Sequence, residues 1–147
     1  MSEQTFSASG RCLCGKVSYT ANIKTGAGAC HCGMCRQWSG GPYMAAHVQG
    51  SVEFTGQEFI SRYSSSQWAE RGFCQQCGSN LFYHLLPRPG VPDGEYIMSA
   101  GTVNEQQELS FTNEVFVEQA PGWYGFTDAE SRTRLTEAEL MAMYGED

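Results

Sequence analysis

The sequence predicts an all-β fold, mainly antiparallel, with one short helix near the C-terminus. Three observations predict it. Short runs rich in aromatic and β-branched residues recur every eight to twelve residues or so. Gly and Pro punctuate the breaks, as in "PRPGVPDG" at 87–94. A helix-start signal of the capping-box type occurs in one place, "TEAELMAMYG".

The strands read in order. "KVSYTA" (16–21), "YMAAHVQ" (43–49), "SVEFT" (51–55) and "FISRYS" (59–64) form the first set. "NLFYHLL" (80–86), "EYIMSAGTV" (95–103) and "EVFVEQ" (114–119) form the second. A short helical turn is expected after Cys35. Near the end, Thr136 caps a helix with Glu139 as its partner three residues on, and Gly145 is the expected stop. No internal repeat, low-complexity tract or domain boundary is visible, so residues 1–147 are expected to form a single domain.

Composition narrows the function classes. The hydrophobic share is 41% and the aromatic share 12%, which suits a packed core. The net charge of -7 disfavours nucleic acid and anionic membrane as partners, since both attract a basic surface. "MSEQTFSASG" lacks the basic and apolar regions of a signal peptide, and no run is long enough for a membrane span. A cytoplasmic location is the resulting expectation. There, seven cysteines point to metal rather than disulfides, and the odd count agrees.

The thiols fall in three clusters: Cys12 and Cys14, then Cys30, Cys32 and Cys35, then Cys74 and Cys77. One tight turn can deliver two sulfurs to one ion. Cys14–Gly15 and Cys77–Gly78 suit such a turn, because Gly takes a positive φ freely. The flanks supply no βαβ context for a redox C-x-x-C, no His for haem attachment, and no deaminase motif. Iron–sulfur is allowed by thiol count. Two partitions remain open on spacing. One joins Cys32/Cys35 to Cys74/Cys77. The other joins Cys12/Cys14 to Cys74/Cys77 and leaves the triplet together, as the two Cys-Gly turns favour.

The chain resembles the glutathione-dependent formaldehyde-activating enzyme (GFA) family, which includes centromere protein V. The matching segments are "GRCLCGKVSY", "CHCGMCRQWSG", "RYSSS", "RGFCQQCGSNLF", "AGTVNE" and "PGWYGF", covering about 10–126. The resemblance implies a zinc-stabilised, folded-over sheet, the β-tent. It also implies two zinc ions: a structural one on Cys12, Cys14, Cys74 and Cys77, and a second on Cys30, Cys32 and Cys35.

Four thiolates saturate a tetrahedral ion, whereas three leave one position open. Three thiolates on a divalent ion sum to one negative charge, which favours holding a thiol over strong activation of water. Arg36 and Arg71 are candidates to offset that charge, or ordinary ion pairs. His31, between two ligands, is a candidate for a role beside the site. His47 and His84 read as packed or exposed strand residues. Trp38 and the "GWYGF" aromatics are candidate pocket walls or core. The resemblance implies a carbon–sulfur lyase-type activity on a small thiol adduct such as S-hydroxymethylglutathione. The alternative is a non-catalytic, zinc-stabilised thiol-binding or protein-interaction module. The basic extension of centromere protein V is missing, which again disfavours nucleic acid.

Overall fold

The computed structural model describes residues 4–144. Its strands are β1 (Thr5–Arg11), β2 (Ser18–Lys24), β3 (Gly26–Cys30), β4 (Tyr43–Thr55), β5 (Ile60–Ser64), β6 (Ala69–Cys74), β7 (Asn80–Leu85), β8 (Glu95–Ser99), β9 (Ser110–Val115) and β10 (Thr133–Leu135). Two α-helices join them, α1 (Gly33–Ser39) and α2 (Glu137–Tyr144). The main path of the sheet runs β10-β9-β3-β4-β8-β7-β6-β5, and β1 and β2 branch from it through β4. Pairing is antiparallel except where β9 runs parallel to β3 and to β10.

β4 holds the two parts together. The expected break between 49 and 51 is no chain reversal, for one strand passes straight through Gly50 at φ +93. The N-terminal half of β4 pairs with β3 and β8, and its C-terminal half with β2. The register between β2 and β4 shifts between Ala21 and Ile23, whose partners Val52 and Val48 flank Gly50.

Other expectations shift by a few residues. The run 114–119 is strand only in its first two residues, and the strand starts earlier, at Ser110. β9 ends at Val115, and Phe116 turns to φ +57 before a short 3-10 turn, Val117–Gln119. The reason is local: Cys30 pairs with Val115, and the next amide, His31 N–H, closes on the Val115 carbonyl at 3.1 Å. α1 encloses Cys35 instead of following it. The Cys32 sulfur caps it by accepting from the Cys35 amide, and Gly40 ends it by donating to the Arg36 carbonyl. The capping box of α2 forms as expected. Thr136 N–H donates to Glu139 Oε1 at 2.8 Å, and Glu139 N–H donates to Thr136 Oγ1 at 3.2 Å. The expected stop at Gly145 lies outside the described residues.

The main core packs Val17, Ile23, Leu81, Phe82 and Met98 around Cys12 and Cys74. Burying each large side chain contributes about 1.5–3 kcal/mol. A second cluster gathers Cys35, Tyr43 and Ala45, with Trp38, Tyr83 and Ile97 against it. So each group of cysteines sits on a hydrophobic cluster of its own.

Candidate metal centres

The seven sulfurs separate into four and three. Those of Cys12, Cys14, Cys74 and Cys77 lie within 4.8 Å of one another, as do those of Cys30, Cys32 and Cys35. All seven cysteines are free. The pairing of Cys32/Cys35 with Cys74/Cys77, left open by spacing, is not the one that forms.

In the group of four, Cys12 and Cys14 sulfurs are 3.6 Å apart, and Cys14 and Cys74 sulfurs 3.8 Å. A tetrahedron of sulfurs about 2.3 Å from zinc has edges of about 3.8 Å. Disulfide bonding would require about 2.05 Å. Each turn is built from the backbone upward. Gly15 and Gly78 stand at φ +83 and +79, where Gly carries no steric penalty. Gly15 N–H donates to the Cys12 carbonyl and Gly78 N–H to the Cys74 carbonyl. Val17 and Gln76 amides donate to the sulfurs of Cys12 and Cys74, both at 3.4 Å. Ser79 links the turns: its hydroxyl lies 3.2 Å from the Cys77 sulfur and accepts from Leu13 N–H. That hydroxyl, ahead of the opposing effect of burial, draws the Cys77 thiol down to about 5.

The group of three is assembled by β3, α1 and the loop between them. Cys30 ends β3, Cys32 caps α1, and Cys35 sits in its first turn. The crowding has an electrostatic consequence. Hydrogen bonds from the Cys30 and Cys35 thiols hold Cys32 down to about 2, while Cys32 and Cys35 together push Cys30 upward. Three sulfurs this close cannot all ionise unless a cation sits among them. Both donor sets therefore fit a soft, thiolate-binding ion, and the two clusters can hold metal. Cys35 is buried, whereas Cys30 and Cys32 are partly exposed residues.

The candidate neighbours divide clearly. Arg71, only 2% exposed, turns both terminal guanidinium nitrogens to the Cys35 sulfur, each at 3.7 Å. Arg36 instead donates from Nε to the His31 carbonyl at 3.1 Å. His31 points away from the sulfurs. Its Nε2 lies 2.8 Å from Glu114 Oε1 and its Nδ1 2.9 Å from the Tyr124 hydroxyl. Glu114 also receives Arg132 at 3.0 Å and Arg134 at 3.3 Å. Burial alone would raise the Glu114 carboxyl, but His31, Arg132 and Arg134 hold it below the usual range.

Of the aromatics, Trp38 packs on Tyr43, Tyr124 stacks on His31, and Phe126 meets Phe111 edge-on. Trp123 stands in solvent. His84 is buried and paired with Glu70, its register partner across β6 and β7. His47 lies on β4 and belongs to neither cluster's ligand set. Glu114 and Tyr83 were invisible as site neighbours in sequence. The only hint was a carboxylate opening the apolar run 114–119.

Residues 7–119 match the family model described as glutathione-dependent formaldehyde-activating enzyme. The chain belongs to this family. It is 28% identical over 129 residues to an uncharacterized lyase of Schizosaccharomyces pombe, covering 87% of this chain and 91% of the relative. The crystal structure of a Rhodobacter sphaeroides protein has a similar fold, with a TM-score of 0.55 at 19% identity over 87% of this chain and 99% of that one. Among the described residues, no helix is long and apolar enough to cross a membrane.

Proposed function

We propose that this chain is a zinc-dependent, carbon–sulfur lyase-type enzyme acting on a small thiol adduct such as S-hydroxymethylglutathione. In this reading Cys12, Cys14, Cys74 and Cys77 hold a structural zinc. Cys30, Cys32 and Cys35 hold a second zinc with one position left for the substrate. The chain works as one family-type domain in a reducing, cytoplasmic setting, where free thiols persist. The observation that carries the reading is a three-sulfur cluster beside a complete four-sulfur one. The family's description supports a glutathione adduct, and the printed name of the Schizosaccharomyces pombe relative supports lyase chemistry.

When bound, the second zinc would supply a cation that keeps a thiol ionised at neutral pH or polarises an aldehyde oxygen. The chain's own part is capture and orientation. Cys35 is closed off by Arg71, so a substrate enters past Cys30 and Cys32. In the synthetic direction the thiol sulfur bonds to the formaldehyde carbon, and the thiol proton ends on the carbinol oxygen. The reverse step breaks that carbon–sulfur bond. Its barrier is low, so positioning supplies most of what a catalyst must add. His31 takes no direct part, because both ring nitrogens are engaged by Glu114 and Tyr124.

Exchange NMR on glutathione and formaldehyde tests this. The zinc-loaded chain should speed interconversion with S-hydroxymethylglutathione, and Cys32→Ser should return the rate to that of buffer. Equal rates with and without the wild-type chain would overturn the enzymatic reading. Thiol binding without acceleration would favour the non-catalytic, thiol-binding module.

A further inference from the structure

We propose that Arg71 is the built-in counter-ion of the three-cysteine site, supplying the positive charge that lets a fourth, anionic sulfur join it. The proposal rests on reading the triplet as an open metal site.

Arg71 lies on β6 directly opposite Tyr83 of β7, so both side chains share the face that carries the triplet. Its guanidinium sits 4.7 Å from the Tyr83 ring centroid and 5.2 Å from that of Trp38. Those rings hold the planar group in place. Both terminal nitrogens then meet one sulfur, Cys35 Sγ, at equal distances of 3.7 Å.

What Arg71 lacks is a carboxylate. Among the described residues, Arg62 pairs with Glu70, Arg88 with Glu95, and Arg132 and Arg134 with Glu114. Arg132 is the instructive comparison, since its side chain is 5% exposed and reaches the equally buried Glu114. Arg71 is buried as deeply, yet no carboxylate among the described residues forms an ion pair with it. An arginine stays charged in a protein. Burying that charge without an opposite one is strongly unfavourable. The triplet is the opposite charge within reach.

The arithmetic of charge gives the arrangement its use. Three thiolates around a divalent ion carry one negative charge, and Arg71 cancels it. A thiolate in the open position then leaves one net negative charge instead of two. A neutral partner such as imidazole gains nothing comparable. Arg71 is not a receptor for a substrate carboxylate, because it is buried and its terminal nitrogens are committed to Cys35. It is a positioning residue that acts through the metal site.

The test compares Arg71→Met, which removes the charge, with Arg71→Lys, which keeps it. Both chains are loaded with cobalt(II), and the affinity of the triplet is read by chelator competition. Retention of the four-cysteine ion and the far-UV circular dichroism report folding. From the usual strength of charge-assisted hydrogen bonds, Arg71→Met should weaken cobalt at the triplet about tenfold or more. Arg71→Lys should stay within about threefold of wild type by the same reasoning, the four-cysteine ion holding throughout. A parallel titration with glutathione and with imidazole reads the open position. Arg71→Met should lose glutathione affinity about tenfold and change imidazole affinity less than about threefold.

Equal losses in the Lys and Met variants would reduce Arg71 to a packing residue and overturn the proposal. Unchanged cobalt affinity in Arg71→Met would overturn it too. If Arg71→Met does not fold, Arg71→Gln replaces it under the same criteria. Wild-type protein that holds cobalt but takes no thiol would instead overturn the proposed function, and the chelator competition would still decide the role of Arg71.

Discussion

His31 Nε2 and Glu114 Oε1 meet at 2.8 Å across 83 residues of sequence, with both side chains nearly sealed from solvent. This contact ties the residue between two clustered cysteines to β9, the strand that runs parallel to β3. The loop carrying Cys30 and Cys32 is thus fixed by a buried ion network as well as by its own backbone. Removing the carboxylate with Glu114→Ala strands His31, Arg132 and Arg134 together. The loss should be about 3–5 kcal/mol, as for breaking other buried charge pairs. Chemical denaturation measures it. Metal analysis should show the three-cysteine ion weakened and the four-cysteine ion retained.

The two cysteine groups should answer differently to substitution. Cys74 is fully buried in the main core, and its group joins the N-terminal turn to the end of β6. Binding energy of a structural ion is folding energy. Cys74→Ser should therefore unfold the chain or leave it insoluble. Cys32→Ser should stay folded and hold one ion fewer. Circular dichroism with metal counted per chain separates the two outcomes.

Glu105 gives a dependence on acidity. Ser9 donates to its carboxylate from both the amide, at 2.9 Å, and the hydroxyl, at 2.7 Å. These bonds, the amide first, hold the Glu105 carboxyl below its usual range. A group whose folded value is depressed stabilises the fold above its unfolded value, about 4.3 for Glu. That contribution is lost as pH falls through the folded value. Wild type should be more stable than Glu105→Gln at pH 7, and the gap should close below about pH 4. Paired denaturation curves across that range measure it.

The cap of α2 is a local device. Thr136→Ala should cost about 0.5–2 kcal/mol in the stability of the helix start. Hydrogen exchange of the amides at 137–140 should quicken, while amides in β4 and β7 stay unchanged.

Cysteine spacing announces metal because chemistry restricts what crowded thiols can do, so the ligands are legible one turn at a time. Their partition into four and three is less so. It depends on β6 ending beside the N-terminal turn, a tertiary fact that the Cys-Gly turns favour but do not fix. Strands with β-branched and aromatic residues, such as β2, β7 and β8, are legible to within a few residues. β3 is not, since "GAGAC" has little strand propensity of its own. It is a strand because β4 and β9 pair with it on either side. Small residues there also let neighbours close in, as a Cβ at Gly28 would collide with the Asn113 side chain. Glu114 was hidden for the same reason, and sequence could not choose between Arg71 and Arg36 as the cation facing the triplet. The partners of Glu114 and Arg71 lie 83 and 36 residues away, and nothing local marks a side chain that is neutralised across the fold.

The central claim is that Cys30, Cys32 and Cys35 form an open metal site that takes a thiol. Calorimetric titration of glutathione into the zinc-loaded chain, with zinc counted before and after, tests it most directly. The account predicts one thiol bound per chain with both ions retained, and no binding to the Cys32→Ser variant. Absence of heat in the wild type, or equal binding to Cys32→Ser, would contradict it.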